Sequence, residues 1–111
     1  VRIDTCIYGS TAFGSDWRVI SWNTGETLVQ NKELGGGSIV YADGLFYCYT
    51  EREGEMALVE ASPDTFEVIS KFKVPLGSRE HWARPVIHQG VLYIRHGEAL
   101  MAYDIKDPAF I

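Results

Sequence analysis

The sequence predicts an all-β fold made of short antiparallel strands, and three observations carry that prediction. First, the stretches "VRIDTCIYGS", "IVYADGLFYCYT" and "PVIHQGVLYIRH" share one pattern. Each is an apolar run, a two-residue polar or glycine turn, and a second run with tyrosine at a fixed place. Second, aromatic residues make up 13% of the chain and are mostly Tyr and Phe, residues that fit a pleated surface. Third, no window carries the i, i+3, i+4, i+7 apolar stripe of an amphipathic helix.

The elements follow in order. Tyr8, Tyr47 and Tyr93 coincide when the three stretches are aligned, at spacings of 39 and 46 residues. Asp43-Gly44 is a strong two-residue hairpin signal, because the tight turn needs positive φ and glycine supplies it freely. Gln89-Gly90 is a weaker version, and Asp4-Thr5 weaker again. A third run follows each hairpin: "WRVISW", "MALVEA" and "ALMAYDI". A fourth follows twice, as "TLVQNKEL" and "TFEVISKFKV". In the latter, Glu67, Ser70, Lys71 and Lys73 are expected to face water at an exposed edge.

Four short strands per unit, at a period of about 40–45 residues, is the pattern of a β-propeller blade. The expected fold class is therefore a set of antiparallel four-stranded meander blades. One blade is complete, over 37–74. A blade over 1–34 lacks most of its first strand, and one over 84–107 lacks its fourth. Propellers close with about four to eight blades, so residues 1–111 read as a single partial propeller of about 2.5–3 blades. The expectation is the C-terminal part of a larger one, with the true N-terminus upstream.

The formal net charge is −5 and the pI about 5.1. That argues against nucleic acid, whose phosphates need a basic surface, and against an anionic membrane surface. No apolar run approaches the length of a transmembrane helix, and the chain does not open on a basic-then-apolar leader. Cys6 and Cys48 are too far apart for a zinc spacing. Both sit in apolar strand patterns, which favours buried free thiols over a disulfide.

Taken together, "GSIVYADGLFYCY", "ALVEASPDTFEVIS" and "HWARPVIHQGVLYIRHG" resemble the quinoprotein-like (PQQ-like) β-propeller repeat family, C-terminal blades, over nearly the whole chain. That family holds PQQ-dependent dehydrogenases and also non-catalytic propellers, so the resemblance transfers fold more safely than chemistry. The docking repeat of the dehydrogenases reads Ala-x-Asp/Asn-x-x-Thr/Lys-Gly-x-x-x-Trp. In the matching "VISWNTGETLV", Thr24 and Gly25 agree, while Val19, Ser21 and Val29 depart from it. The resemblance implies residence in the periplasm or at the cell surface of a bacterium.

In a propeller, the loops from outer strand to next inner strand and from second to third strand share one rim, and function gathers on loops. Five segments meet there: 9–16, 34–37, 49–55, 75–83 and 96–98. The ligand-contacting candidates are Arg79, His81, Trp82, Arg84, Arg95 and His96, with Asp16, Glu51, Arg52, Glu80 and Glu98 nearby. His88 falls at the opposite end of its hairpin, about 15–20 Å away at ~3.3 Å per residue. One metal cannot hold all three histidines, because Zn–N bonds are ~2.0–2.1 Å. Trp82 reads either as a stacking platform for a ligand or as packing between neighbouring blades. His96-Gly97 reads chiefly as a turn between strands, and the charged tip around Gly54 as a solvated loop. Asp104 reads as a turn-bonding residue. The glycines at 35–37 lack the lysine and helix of a phosphate loop. No nucleophile–base order or paired carboxylates stand out.

The leading expectation is a non-catalytic binding or scaffold module of an exported protein, with no catalytic residue, no metal ligands and no cofactor. The alternative is part of a PQQ-dependent alcohol dehydrogenase, with the quinone held by Arg and Trp side chains beside a Ca²⁺. A third reading makes the rim a saccharide or protein ligand site. The remaining blades of the same propeller are expected partners. Apolar faces left open cost about 25 cal/mol per Å², which predicts self-association.

Overall fold

In the computed structural model, which describes residues 1–11, 16–78 and 80–106, every regular element is a strand. The strands are β1 (Arg2–Ile3), β2 (Cys6–Ser10), β3 (Trp17–Ser21), β4 (Thr27–Asn31), β5 (Gly37–Ala42), β6 (Leu45–Thr50), β7 (Glu55–Ser62), β8 (Thr65–Lys73), β9 (Val86–His88), β10 (Val91–His96) and β11 (Ala99–Asp104). They form three antiparallel meanders, ordered β1-β2-β3-β4, β5-β6-β7-β8 and β9-β10-β11. Among the described residues the third sheet has no fourth strand, and the three sheets do not close on themselves.

The two-residue turns set the registers. Ile3 faces Cys6 across Asp4-Thr5, Ala42 faces Leu45 across Asp43-Gly44, and His88 faces Val91 across Gln89-Gly90. Asp43 (φ 51°) and Gly44 (φ 80°) are both left-handed, as are Gln89 (φ 49°) and Gly90 (φ 76°). That is the backbone of the turn whose twist matches the flanking strands. Asp4 (φ 53°) is the only residue of its turn with positive φ, in line with the weaker signal there.

The first two sheets carry the same irregularity. Val19 pairs Val29 and Ile20 pairs Thr27, leaving Leu28 as an extra residue. Leu58 pairs Ser70 and Val59 pairs Val68, leaving Ile69 as the extra residue. Both extra residues lie two strands beyond the aligned tyrosines, opposite the strands on which Tyr8 faces Val19 and Tyr47 faces Leu58. A bulge reverses the in–out phase beyond it. Phe66 and Val68 therefore pack with the first sheet, while Phe72, past Ile69, packs with the third. Glu67, Lys71 and Lys73 are exposed as expected, and Ser70 is half-buried.

The sheets stack face to face in chain order, and the middle one is buried on both sides. Phe46, Cys48, Ala57 and Val59 point from it toward Cys6, Tyr8, Trp17 and Val19 of the first sheet. Tyr47, Tyr49, Met56 and Leu58 point the other way, toward Leu92, Ile94 and Met101 of the third. This explains why β6 and β7 are almost continuously apolar while β10 alternates. Both cysteines are free and buried in the first of these layers, and burial pushes the Cys48 thiol pKa up.

Each connection between sheets is fastened by a side chain from the sheet before it. The Ser10 hydroxyl donates to the Gly37 carbonyl (2.9 Å) and accepts the Gly37 N–H (3.1 Å). Trp17 Nε1 donates to the Gly35 carbonyl at 2.7 Å. Gly37 has no room for a side chain, since a Cβ there would lie 1.8 Å from the Tyr49 carbonyl oxygen. The second connection, residues 74–85, is held by Tyr49 and β10.

Candidate functional site

Tyr49 is the next-to-last residue of β6 and is fully buried against the third sheet. Its hydroxyl lies 2.5 Å from His81 Nδ1, and the two rings meet edge to face at 5.4 Å. His81 in turn stacks on His96, the last residue of β10, with ring centroids 3.6 Å apart and planes 23° from parallel. Nδ1 of His96 lies 2.8 Å from the Leu76 carbonyl oxygen. Residues 76 and 81 of one connection are thus held by β6 on one side and β10 on the other.

The chemistry of the partners assigns the protons. A carbonyl oxygen only accepts, so His96 Nδ1 carries a proton and donates to Leu76. Burial pushes the Tyr49 phenol up to about 12, so its hydroxyl stays protonated and donates to Nδ1 of His81. Neutral His81 therefore carries its proton on Nε2. Burial, with His96 and Lys73 adding like charge, lowers the His81 pKa below its usual value.

Backbone spaces complete the arrangement. Gly54, at φ 67°, lies against the His81 ring, and a Cβ there would fall 2.3 Å from Cε1. Gly77, at φ 94°, lies against the His96 carbonyl, where a Cβ would come within 2.0 Å of the oxygen. Ser78 Oγ donates to a Glu98 carboxylate oxygen at 2.8 Å, and the backbone N–H of Glu98, followed by this bond, keeps the Glu98 carboxyl pKa low. Buried Thr50 accepts the Glu55 N–H at 2.8 Å and so closes the loop that carries Gly54.

The sequence candidates divide. His81 and His96 are brought into direct contact. Trp82 is 69% exposed, so among the described residues the connection turns its indole outward and it does not pack between two sheets. Arg84 donates to the Ile39 carbonyl at 3.2 Å, tying the connection to β5. Arg95 points to the opposite face of β10 from His96 and donates to the Gly97 carbonyl at 3.2 Å. Arg79 lies outside the described residues, as do 12–15 of the first rim segment. His88 is exposed at the end of β9. His96 is a buried strand residue, and the turn itself is Gly97-Glu98. Asp104 accepts the Lys106 N–H at 2.9 Å, the turn bond its position suggested.

Asp16 forms a second polar centre, at the start of β3. It is buried and accepts from Thr11 Oγ1 at 2.6 Å, from Gln30 Nε2, and from Arg18 Nε at 3.1 Å. The Thr11 and Gln30 hydrogen bonds bring its pKa down to about 2. Sequence reasoning placed Asp16 on the rim without partners, because Gln30 is 14 residues away and gave no signal of its own.

The stack has a pH signature. Folded His81 binds its proton less readily than the unfolded chain, in which an imidazole titrates near 6.5. Below that value the unfolded state takes up a proton that the folded state resists. Stability is therefore full above about pH 6.5 and falls as pH drops through that value toward the lower folded pKa. Urea midpoints of the wild type between pH 8 and 5 should show this decline. His81→Phe, which keeps a ring on His96 without a titrating group, should flatten it. An unchanged slope in the variant would assign the decline elsewhere.

Among the described residues, no group of three or more His, Cys, Asp or Glu side chains has metal-holding geometry, and no helix is long and apolar enough to cross a membrane. No protein-family model matches the chain, and no curated protein matches it either.

Proposed function

We propose that this chain is a segment of a PQQ-like β-propeller that serves as a binding or scaffold module of an exported bacterial protein. Three successive antiparallel meanders packed face to face in chain order support the propeller reading. The observation that carries the non-catalytic reading is the engagement of the rim's polar side chains with the chain's own connections. His81 is held by Tyr49 and His96, His96 donates to Leu76, and Arg84 and Arg95 donate to backbone carbonyls. Groups fixed in this way hold loops in place. Trp82 is the rim residue turned to solvent with a broad apolar face, carried on a connection that the histidine stack fixes. A flat, exposed indole on a rigid segment suits a saccharide ring or a peptide side chain.

The described residues do not fit pyrroloquinoline quinone with Ca²⁺. A quinone with three carboxylates needs converging cationic side chains and a ring to stack on, whereas Arg84 and Arg95 are turned to different carbonyls. Adding PQQ and Ca²⁺ to the protein should therefore give no bound-quinone absorbance and no dye-linked alcohol oxidation. Stoichiometric quinone binding would overturn the non-catalytic reading. On a glycan array, Trp82→Ala should lose the signal that the parent protein gives while its urea midpoint stays unchanged.

A further inference from the structure

The Tyr49–His81–His96 arrangement leaves one atom of His81 to take a proton, and that atom is the one that holds the connection. Nε2 already carries the proton of the neutral ring, so the basic atom is Nδ1. The Tyr49 hydroxyl engages Nδ1 at 2.5 Å. A proton placed there displaces the hydroxyl as donor, and fully buried Tyr49 loses the acceptor for its own hydrogen. The cation so formed is also badly placed. Its ring lies 3.6 Å from the ring of His96, and Lys73, at the end of β8, adds a like charge. The carboxylates around it are committed elsewhere. Glu98 accepts from Ser78, Glu55 pairs with Lys71, and Glu53 lies against Gly35. Glu80 is exposed beside it, and among the described residues no carboxylate pairs with His81. Behind Tyr49 stands Tyr103 of β11, whose phenol burial also pushes up and keeps protonated.

The rest of the connection is held by bonds that a proton on His81 leaves intact. The Val74 N–H donates to the Gly54 carbonyl at 2.8 Å, and the Leu76 carbonyl accepts from His96. Ser78 is bonded to Glu98, and Arg84 donates to the Ile39 carbonyl. Between these points, the hydrogen bond and ring contacts of His81 are what ties down residues 80–83 among the described residues. Trp82 rides on that stretch and is turned to solvent.

We propose that mild acid releases residues 80–83 while the sheets stay folded, so that Trp82 is carried on an ordered segment at neutral pH and on a loose one in acid. Released, His81 is an imidazole in water that titrates near 6.5. Held, it binds a proton less readily, because of burial and like charge. Each pH unit below about 6.5 therefore shifts the equilibrium up to tenfold toward the released form, until the held ring itself takes the proton. Ligand capture at Trp82, which rests on the function proposed above, should weaken in acid with the release. The release itself needs no ligand, so its failure is read separately from the quinone and glycan experiments.

Fluorine NMR of this chain with fluorotryptophan at Trp17, Trp22 and Trp82 tests it, the Trp82 line being assigned by its loss in Trp82→Phe. From pH 8 to pH 5 the Trp82 line should shift and narrow. The line of Trp17, fully buried in the first layer, should stay in place and so report that the sheets are folded. His81→Phe should abolish the Trp82 change, because nothing at 81 then titrates. Tyr49→Phe keeps the ring but not the donor, and should raise the midpoint of the change by about half to one pH unit, the worth of one hydrogen bond. A Trp82 line that stays constant between pH 8 and pH 5 overturns the proposal. So does a change shared with Trp17, which belongs to unfolding of the sheets, or one that persists in folded His81→Phe. A midpoint that Tyr49→Phe leaves in place or lowers overturns it as well.

Discussion

Trp17→Ala should remove about 3–5 kcal/mol of stability, the range for deleting a large buried aromatic ring. Trp17 is completely buried at the first position of β3, where it pairs with Ser10 and Asn31. Its ring stacks on Phe66 of the second sheet at 6.0 Å and 22°, and Nε1 donates to Gly35 in the connection between the sheets. The substitution therefore removes the packing that joins two sheets and leaves a carbonyl without its donor. Trp17→Phe separates the two contributions: it keeps most of the ring and should cost about 1–2 kcal/mol, near the cost of a buried acceptor left unpaired. Against a typical domain stability of about 5–15 kcal/mol, the alanine variant should shift the urea midpoint far. A loss below about 1 kcal/mol would mean that the first two sheets are not held together at this point.

The strand plan was readable because its determinants are local. A two-residue turn with Asp, Gln or Gly announces its own backbone, and the structure has hairpins at all three places. Alternation was informative in β10, which buries one face, and uninformative in β6 and β7, which bury two. The bulges at Leu28 and Ile69 left no mark in the sequence, since nothing in "TLVQN" or "TFEVISK" separates an extra residue from a regular strand.

The site was legible to a lesser degree. Placing His81 and His96 at one end of a hairpin followed from strand length, but their stacking did not. It depends on the path of residues 74–85, which carry no periodicity, and on Tyr49, 32 residues before His81. Tyr49 opened the 49–55 rim segment, but nothing in the sequence singled it out as the partner of His81. Trp82 shows the same limit. Its neighbour His81 turns inward to Tyr49 while Trp82 turns outward, and in an irregular segment no alternation rule says which of two adjacent residues does which. Gly54 and Gly77 read as loop glycines, although their positions are fixed by what a Cβ would strike.

Gly77→Ala should cost about 2–5 kcal/mol and disconnect the histidine stack. Two effects add. At φ 94° an L side chain is strained, and the left-handed region costs about 1–2 kcal/mol for residues other than glycine. The new methyl would also lie 2.0 Å from the His96 carbonyl oxygen and 2.8 Å from the carbonyl carbon. These are backbone atoms at the end of β10, where His96 pairs with Ala99, so they cannot turn aside as a flexible side chain would. Forcing an extra carbon into such a place costs about 1–3 kcal/mol. The strain is relieved by moving the connection, which draws Leu76 away from His96 Nδ1 and His81 away from its place between Tyr49 and His96. The variant should therefore show a lower urea midpoint at pH 8 and, with His81 returned to water, a smaller loss of stability between pH 8 and 5 than the wild type. Gly44→Ala is the control. It also has positive φ, at 80°, but a Cβ there meets nothing within 4 Å, so it should pay the backbone strain alone and keep the full pH dependence. Equal losses at the two glycines, with the pH dependence intact in both, would show that the connection tolerates a side chain at 77 and that the histidine stack does not depend on its close approach to β10.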